Sequence, residues 1–170
     1  MDLIIPLIVI LLYIIPLYTA NSTPVLSKGK IPLDLNKKIG ANPILGKGKT
    51  VEGTLTGIIC GSISGLLITI FFPYSNELVP NYFALAVLLS IGAIVGDLIK
   101  SFFKRRFGIK SGQKWVIADQ LDFILGGLIF SSLITPPPTW LVAILLIVTF
   151  FIHLWSNFFA HKLGLKKVPW

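Results

Sequence analysis

The sequence predicts an all-α integral membrane protein of five transmembrane helices, with the N-terminus outside and the C-terminus in the cytoplasm. Three observations predict it. Of 170 residues, 54% are hydrophobic and only 13% are charged, where a soluble domain carries about 25% charge. Five apolar stretches are separated by polar or proline-rich connections. All fifteen Lys and Arg fall in segments that a five-span topology places on one side.

The first span, 3–20, is just long enough to cross ~30 Å of hydrocarbon. A cleaved signal peptide is the rival reading, but Asp2 stands where a positive region belongs and Tyr18 where a small residue belongs, so a retained helix is expected. Residues 21–53 are polar and rich in Pro, Gly and Lys, ending in NPILGKGKTVEG. The second span, 54–72, repeats Gly57, Gly61 and Gly65 at the small-xxx-small spacing that lets helix backbones approach. A short loop, 73–81, leads to the third span, 82–103, and a basic loop, 104–118, follows it. The fourth span, 119–134, carries Gly126 and Gly127, and a proline turn leads to the fifth, 140–159, with Trp140 and Trp155 near its ends as aromatic anchors. Residues 1–170 form one membrane-embedded domain. Cys60 lies in an apolar run as a packing residue, so no disulfide framework is expected.

Charge fixes the orientation. The 21–53 loop, the end of the third span, the 104–118 loop and the C-terminal tail hold every Lys and Arg, while the N-terminus, 73–81 and 136–138 hold none. Such asymmetry places the basic side in the cytoplasm. It also accounts for much of the net charge of +8, so nucleic acid is not required as a partner.

The chemistry lies in the run from Gly96 to Gly127. Asp97, Lys100, Ser101 and Lys104 fall at i, i+3, i+4 and i+7, one stripe of a helix. Asp97 sits about 9 Å from the cytoplasmic end, deep enough to need a partner; a self-neutralising pair with Lys100 or Ser101 is the plain alternative. Asp119 and Asp122 share one face of a helix start, where a carboxylate caps N–H groups and favours the dipole. That explains one aspartate but not a second a turn deeper. Ionised groups at membrane depth point to function. Three converging carboxylates suit Mg²⁺ carrying a nucleotide triphosphate, and Lys100, Lys104, Arg105, Arg106, Lys110 and Lys114 stand beside them for polyphosphate. Upstream, GKGKT at 46–50 is not a P-loop, because Pro43 stands where a glycine is required. It remains a glycine-rich turn at a helix start that can cradle phosphate. Glu52 behind it is either a dipole partner or part of the site.

The order GD-x3-S-x2-KR-x4-K followed by D-x2-D resembles the signature of the phosphatidate cytidylyltransferase (CDP-diglyceride synthase) family. Asp97, Ser101, Lys104, Arg105, Lys110, Asp119 and Asp122 occupy the matching places, and Lys49-Thr50-Val51-Glu52-Gly53 resembles the family's K-T-x-E-G segment. Ser111 replaces an Asp, Gln120 replaces an Arg, and a His-Gly-Gly element before Asp119 is missing. With KRRFG and ADQLDF, these departures resemble the archaeal branch of the family, CDP-archaeol synthases.

The resemblance implies transfer of a cytidylyl group from CTP to 2,3-di-O-geranylgeranylglycerol 1-phosphate, giving CDP-archaeol and diphosphate at the cytoplasmic face. Asp97, Asp119 and Asp122 would hold Mg²⁺, as one ion or two. Lys104, catalytic alongside the three aspartates, would with Arg105 and Lys110 screen phosphates; Lys49, Thr50, Glu52 and Gln120 would bind CTP or its phosphates, and Ser101 orient a ligand. His153 and His161 read as packing or interfacial residues. The partners expected are CTP and a lipid phosphate from the bilayer, with a homodimer left open. The same chemistry on a diacyl phosphatidate, or an ion or proton transporter built on the intramembrane carboxylates, are the alternatives. A CDP-alcohol phosphotransferase is excluded by the absence of its D-G-x2-A-R segment.

Overall fold

The computed structural model describes residues 3–111, 113, 115 and 118–162, and only the backbone of 153, 154 and 156–161. Among them six α-helices follow in order: α1 (Ile4–Ser22), α2 (Val51–Phe71), the short α3 (Ser75–Leu78), α4 (Tyr82–Arg106), α5 (Ala118–Ser131) and α6 (Thr139–Lys162). α1 runs on into a 3-10 turn, Thr23–Ser27, and the long first connection carries an antiparallel hairpin, β1 (Lys38–Ile39) with β2 (Asn42–Pro43). The all-α class holds; the hairpin is too short for a hydrophobic period to announce it. Ile4–Ser27, Val51–Phe71 and Tyr82–Arg106 are long and apolar enough to cross a membrane.

Among the boundaries that differ from the sequence reading, two bear on the site. The 104–118 loop begins later, because α4 continues through Lys104, Arg105 and Arg106. Cations favour a helix C-terminus, and Lys104 and Arg105 are buried there against polar partners. The helix stops at Gly108, whose φ of +72° suits glycine, with Ile109 N–H donating to Lys104 O at 2.9 Å. The fourth span, 119–134, is shorter than expected. α5 has 14 residues, about 21 Å at 1.5 Å per residue. The Ser131 and Ser132 hydroxyls both donate to Leu128 O, at 2.9 and 2.8 Å, offering the backbone an alternative to the helix ladder just where it ends.

Packing follows the small residues and the prolines. Pro16 in α1 has no N–H for the carbonyl of Leu12, and the buried Tyr82 hydroxyl donates to that carbonyl instead, at 2.8 Å. The expected glycine face of α2 is buried at Gly53, Gly57, Gly61 and Gly65. A Cβ at Gly61 would stand 2.9 Å from both Ala20 Cβ and Ser90 Cβ, so α1, α2 and α4 meet there. Leu17, Tyr82, Leu85, Leu89, Phe123 and Leu141 lie at the centre of one apolar core.

The closest crossing joins α4 to α5. A Cβ at Gly92 would stand 2.7 Å from Gly127 Cα, and one at Gly126 would stand 2.8 Å from Gly96 Cα. Backbones that approach this closely need glycine on both helices. Asp97 follows Gly96 directly, and the Asp122 carbonyl lies where a Cβ on Gly96 would go. This crossing sets the distance between the two acidic helices.

Candidate active site

The three aspartates are brought together as expected, around a cation already in the chain. Lys100 Nζ lies 3.1 Å from Asp97 Oδ1, 3.2 Å from Asp119 Oδ1 and 2.6 Å from Asp122 Oδ2. Lys49 pairs with Asp97 from the start of α2. Lys104 Nζ donates to both oxygens of Asp119, at 2.9 and 3.0 Å, and to Gln113 O at 2.6 Å. Three carboxylates and three ammoniums therefore form one neutral cluster spanning α4, α5 and the turn that leads into α2. Burial on this scale is tolerated because every charge has a partner. The Asp122 side chain is 5% exposed, and among the described residues its Oδ2 has the Lys100 ion pair but no aligned hydrogen bond.

Both plain readings of the aspartates are realised alongside convergence. Asp97 does pair with Lys100, and Asp119 does cap: its Oδ2 accepts from Trp115 N–H at 2.8 Å, while its own N–H donates to Trp115 O at 2.8 Å. Neither reading explains Asp122, whose ion-pair partner comes from the other helix.

The remaining candidates divide. Ser101 is buried and lines a polar cavity of about 290 Å³ with Lys49, Lys100, Lys104, Arg105 and Asp119. Thr50 caps α2, its hydroxyl oxygen accepting from Gly53 N–H at 3.1 Å, and lines a second cavity of about 290 Å³ with Pro24, Ile94 and Asp97. Glu52 belongs to neither cavity's lining. Its carboxylate accepts from the N–H groups of Lys30, at 3.1 Å, and Ile31, at 3.2 Å, so it latches the first connection to α2. Lys110 is exposed, with its backbone N–H donating to Gln113 Oε1 at 2.7 Å. Gln120 is buried, its Oε1 has no hydrogen-bond partner among the described residues, and it also lies outside these cavities. Lys114 and the side chains of His153 and His161 lie outside the described residues.

Sequence reasoning missed how the GKGKT turn is held. Asp34, buried in the first connection, accepts from the N–H groups of Leu45 at 2.9 Å, Gly46 at 3.0 Å and Asn36 at 3.0 Å. Burial pushes its pKa up, but these N–H groups outweigh that and hold the carboxyl below its ordinary range. Its stabilisation is present above the unfolded pKa and is lost as pH falls through the depressed one. Arg105 Nε donates to Leu45 O at 3.1 Å. Arg106 donates to Pro43 O at 2.5 Å and stacks on Phe102, 5.2 Å from the ring centroid. Both arginines thus strap this turn to α4. Asp34→Ala removes one charged acceptor from three N–H groups, each such bond worth about 1.5–3 kcal/mol. Amide hydrogen exchange at Leu45 and Gly46 is expected to accelerate at least about tenfold, with α4 and α5 unaffected.

A third cavity is apolar. About 500 Å³ lies between α4 and α5, lined by Ile99, Phe103, Leu121, Leu125 and Ile129, with Lys100 and Asp122 at its polar end. From Asp122 to Ile129 is seven residues, about 10 Å along the helix. Lys100 lines both this groove and the polar cavity. A cation-lined polar cavity and an apolar groove thus meet at Lys100.

Comparison with known proteins places the chain among relatives along its whole length. A family model described as CarS-like, CDP-archaeol synthase, matches residues 1–170. A CDP-archaeol synthase of Methanocaldococcus jannaschii is 40% identical over 166 residues, covering 93% of this chain and 94% of that protein. One from Pyrococcus horikoshii is 43% identical over 159 residues, with 93% and 94% covered. A solved structure described as an intramembrane enzyme for archaeal membrane lipids biosynthesis superposes with a TM-score of 0.78 at 32% identity, covering 86% of this chain and 90% of that one.

Proposed function

The chain belongs to the CDP-archaeol synthase family and forms CDP-archaeol; from that premise we propose that it transfers the cytidylyl group of CTP to 2,3-di-O-geranylgeranylglycerol 1-phosphate at the Asp97–Asp119–Asp122 cluster. The observation that carries this reading is the meeting of a polar cavity and an apolar groove at Lys100. A triphosphate and a lipid phosphate need such a junction to bring the attacking oxygen to the α-phosphorus. In this reading five spans cross the membrane with the N-terminus outside, and the cluster works at the cytoplasmic face, the side on which the positive-inside rule puts the basic segments.

The donor set suits Mg²⁺ in its chemistry, since hard carboxylate oxygens from two helices aim at one cation position. Among the described residues they form no ready three-ligand metal group; they gather on Lys100 instead. Asp97, Asp119 and Asp122 would hold the ion, which when bound neutralises the triphosphate and stabilises charge on the attacking and leaving oxygens.

The rest falls to the chain's own side chains. Lys49, Lys104 and Arg105 line the polar cavity and neutralise phosphate oxygens, the ammoniums as point charges and the guanidinium as a fork. The turn held by Asp34 offers Gly48 to the same cavity. Ile99, Leu121, Leu125 and Ile129 seat the lipid chain. An oxygen of the lipid phosphate forms the new bond to the α-phosphorus, the bond to the β-phosphate oxygen breaks, and diphosphate leaves with the electron pair. The monoester is already anionic, so no protein nucleophile or strong base is required, and catalysis rests on positioning and charge.

The test uses purified protein in detergent with CTP labelled at the α-phosphate, Mg²⁺ and the geranylgeranyl diether phosphate. Label passing into the lipid extract with matching diphosphate release supports the proposal; diphosphate without labelled lipid, or label from other nucleotides equally, contradicts it. Diacyl phosphatidate in the same assay measures diether selectivity. Leu125→Trp fills the groove and is expected to raise the KM for the lipid phosphate about tenfold, leaving that for CTP within about twofold.

A further inference from the structure

We infer that Lys100 is a built-in counter-ion whose ammonium must leave the three carboxylates for metal to bind them, and that this exchange couples metal binding to nucleotide binding. The inference rests on the function proposed above and extends it to the order in which the charges assemble. Lys100 Nζ is within 3.2 Å of an oxygen of each aspartate, and its side chain is 14% exposed. An ammonium and a divalent ion cannot share those oxygens, because like charges at contact distance in a half-buried site repel strongly. Asp97 and Asp119 are occupied further by Lys49 and Lys104.

The electrostatic consequence follows from the neutral count of three carboxylates and three ammoniums. A divalent ion alone adds two positive charges to a cluster that is already balanced. A triphosphate alone meets three ammoniums that are all engaged. Arriving together, they allow one exchange of partners: carboxylates turn to the metal, and the released ammoniums turn to the phosphates. Lys100 is placed for that exchange because its side chain lines the phosphate-sized cavity as well as the carboxylate cluster. Each ligand therefore raises affinity for the other, and by linkage the two effects are equal.

The experiment measures Mn²⁺ binding to the detergent-purified chain by the loss of the free-ion electron paramagnetic resonance signal, without nucleotide. The Lys100→Met variant is expected to bind Mn²⁺ alone at least about tenfold more tightly than the unaltered chain, a typical size for coupling between sites. Its melting temperature should rise with Mn²⁺ alone, where that of the unaltered chain should not. Equal Mn²⁺ affinity in the two chains, with binding of Mn²⁺ and CTP together retained, overturns the role of Lys100 and leaves the proposed function standing. The unaltered chain supplies a check that does not depend on the variant folding. Its melting temperature should rise with Mn²⁺ and CTP together but with neither Mn²⁺ alone nor CTP in EDTA. A full rise from either ligand alone overturns the coupling. No binding of the two together overturns the inference and the proposed function alike.

Discussion

Asp97→Asn lowers the rate of CDP-archaeol formation on the order of a thousandfold while leaving the protein folded. The magnitude is that of removing one preorganised electrostatic contact from a reacting phosphate site. Asn keeps the shape of the side chain but leaves Lys49 and Lys100 with one carboxylate fewer between them. The cluster gains a net positive charge and loses an oxygen that a metal would need. Turnover at saturating CTP and Mg²⁺, read beside the melting temperature, checks this. A transporter makes a different prediction from the same variant: ion flux into vesicles would vanish while CTP turnover in detergent stayed unchanged.

Gly96→Val damages the fold and the site together. The added Cβ would meet the Asp122 carbonyl and stand 3.2 Å from Gly126 Cα. These are backbone atoms of the facing helix and cannot rotate away. Overpacking of this kind costs about 3 kcal/mol, at the upper end of its usual range. What remains folded must hold α4 and α5 further apart, and a misplacement of about 1 Å in such a site lowers turnover about a hundredfold. The expected result is a lower melting temperature with a rate per folded molecule that also falls. A variant that melts early but turns over normally would show that the crossing stabilises the fold without setting the site.

The carboxylate cluster was legible in the sequence because its members sit on regular helices. Asp97 and Lys100 are one turn apart, as are Asp119 and Asp122, and charge placed both helix ends on one side. The cation between them was half legible: the helix stripe offered Lys100 as a partner for Asp97, but only the α4–α5 crossing brings it to Asp122 as well. That crossing was half visible. Gly126 and Gly127 stood out, but Gly92 and Gly96 lie in an apolar run where spacing alone does not say which neighbour they meet. Contacts between distant stretches were the least legible. Asp34, Arg105 and Arg106 reach the GKGKT turn across irregular backbone with no periodicity to read, and Glu52 resolved into a latch only when Lys30 and Ile31 were placed against it. Lys110 matched the family motif yet is exposed beyond the cavity. The hydroxyl-terminated end of α5 shortened a span that hydropathy alone had extended to 134.

The measurement that bears most directly on the central claim is a crystal of the protein grown with Mn²⁺ and CTP and read by the anomalous signal of the metal. The account predicts the peak at the carboxylates of Asp97, Asp119 and Asp122, with the triphosphate in the cavity lined by Lys49, Ser101 and Lys104. A peak on other residues, with CTP bound and the three aspartates still closed on Lys100, would contradict it.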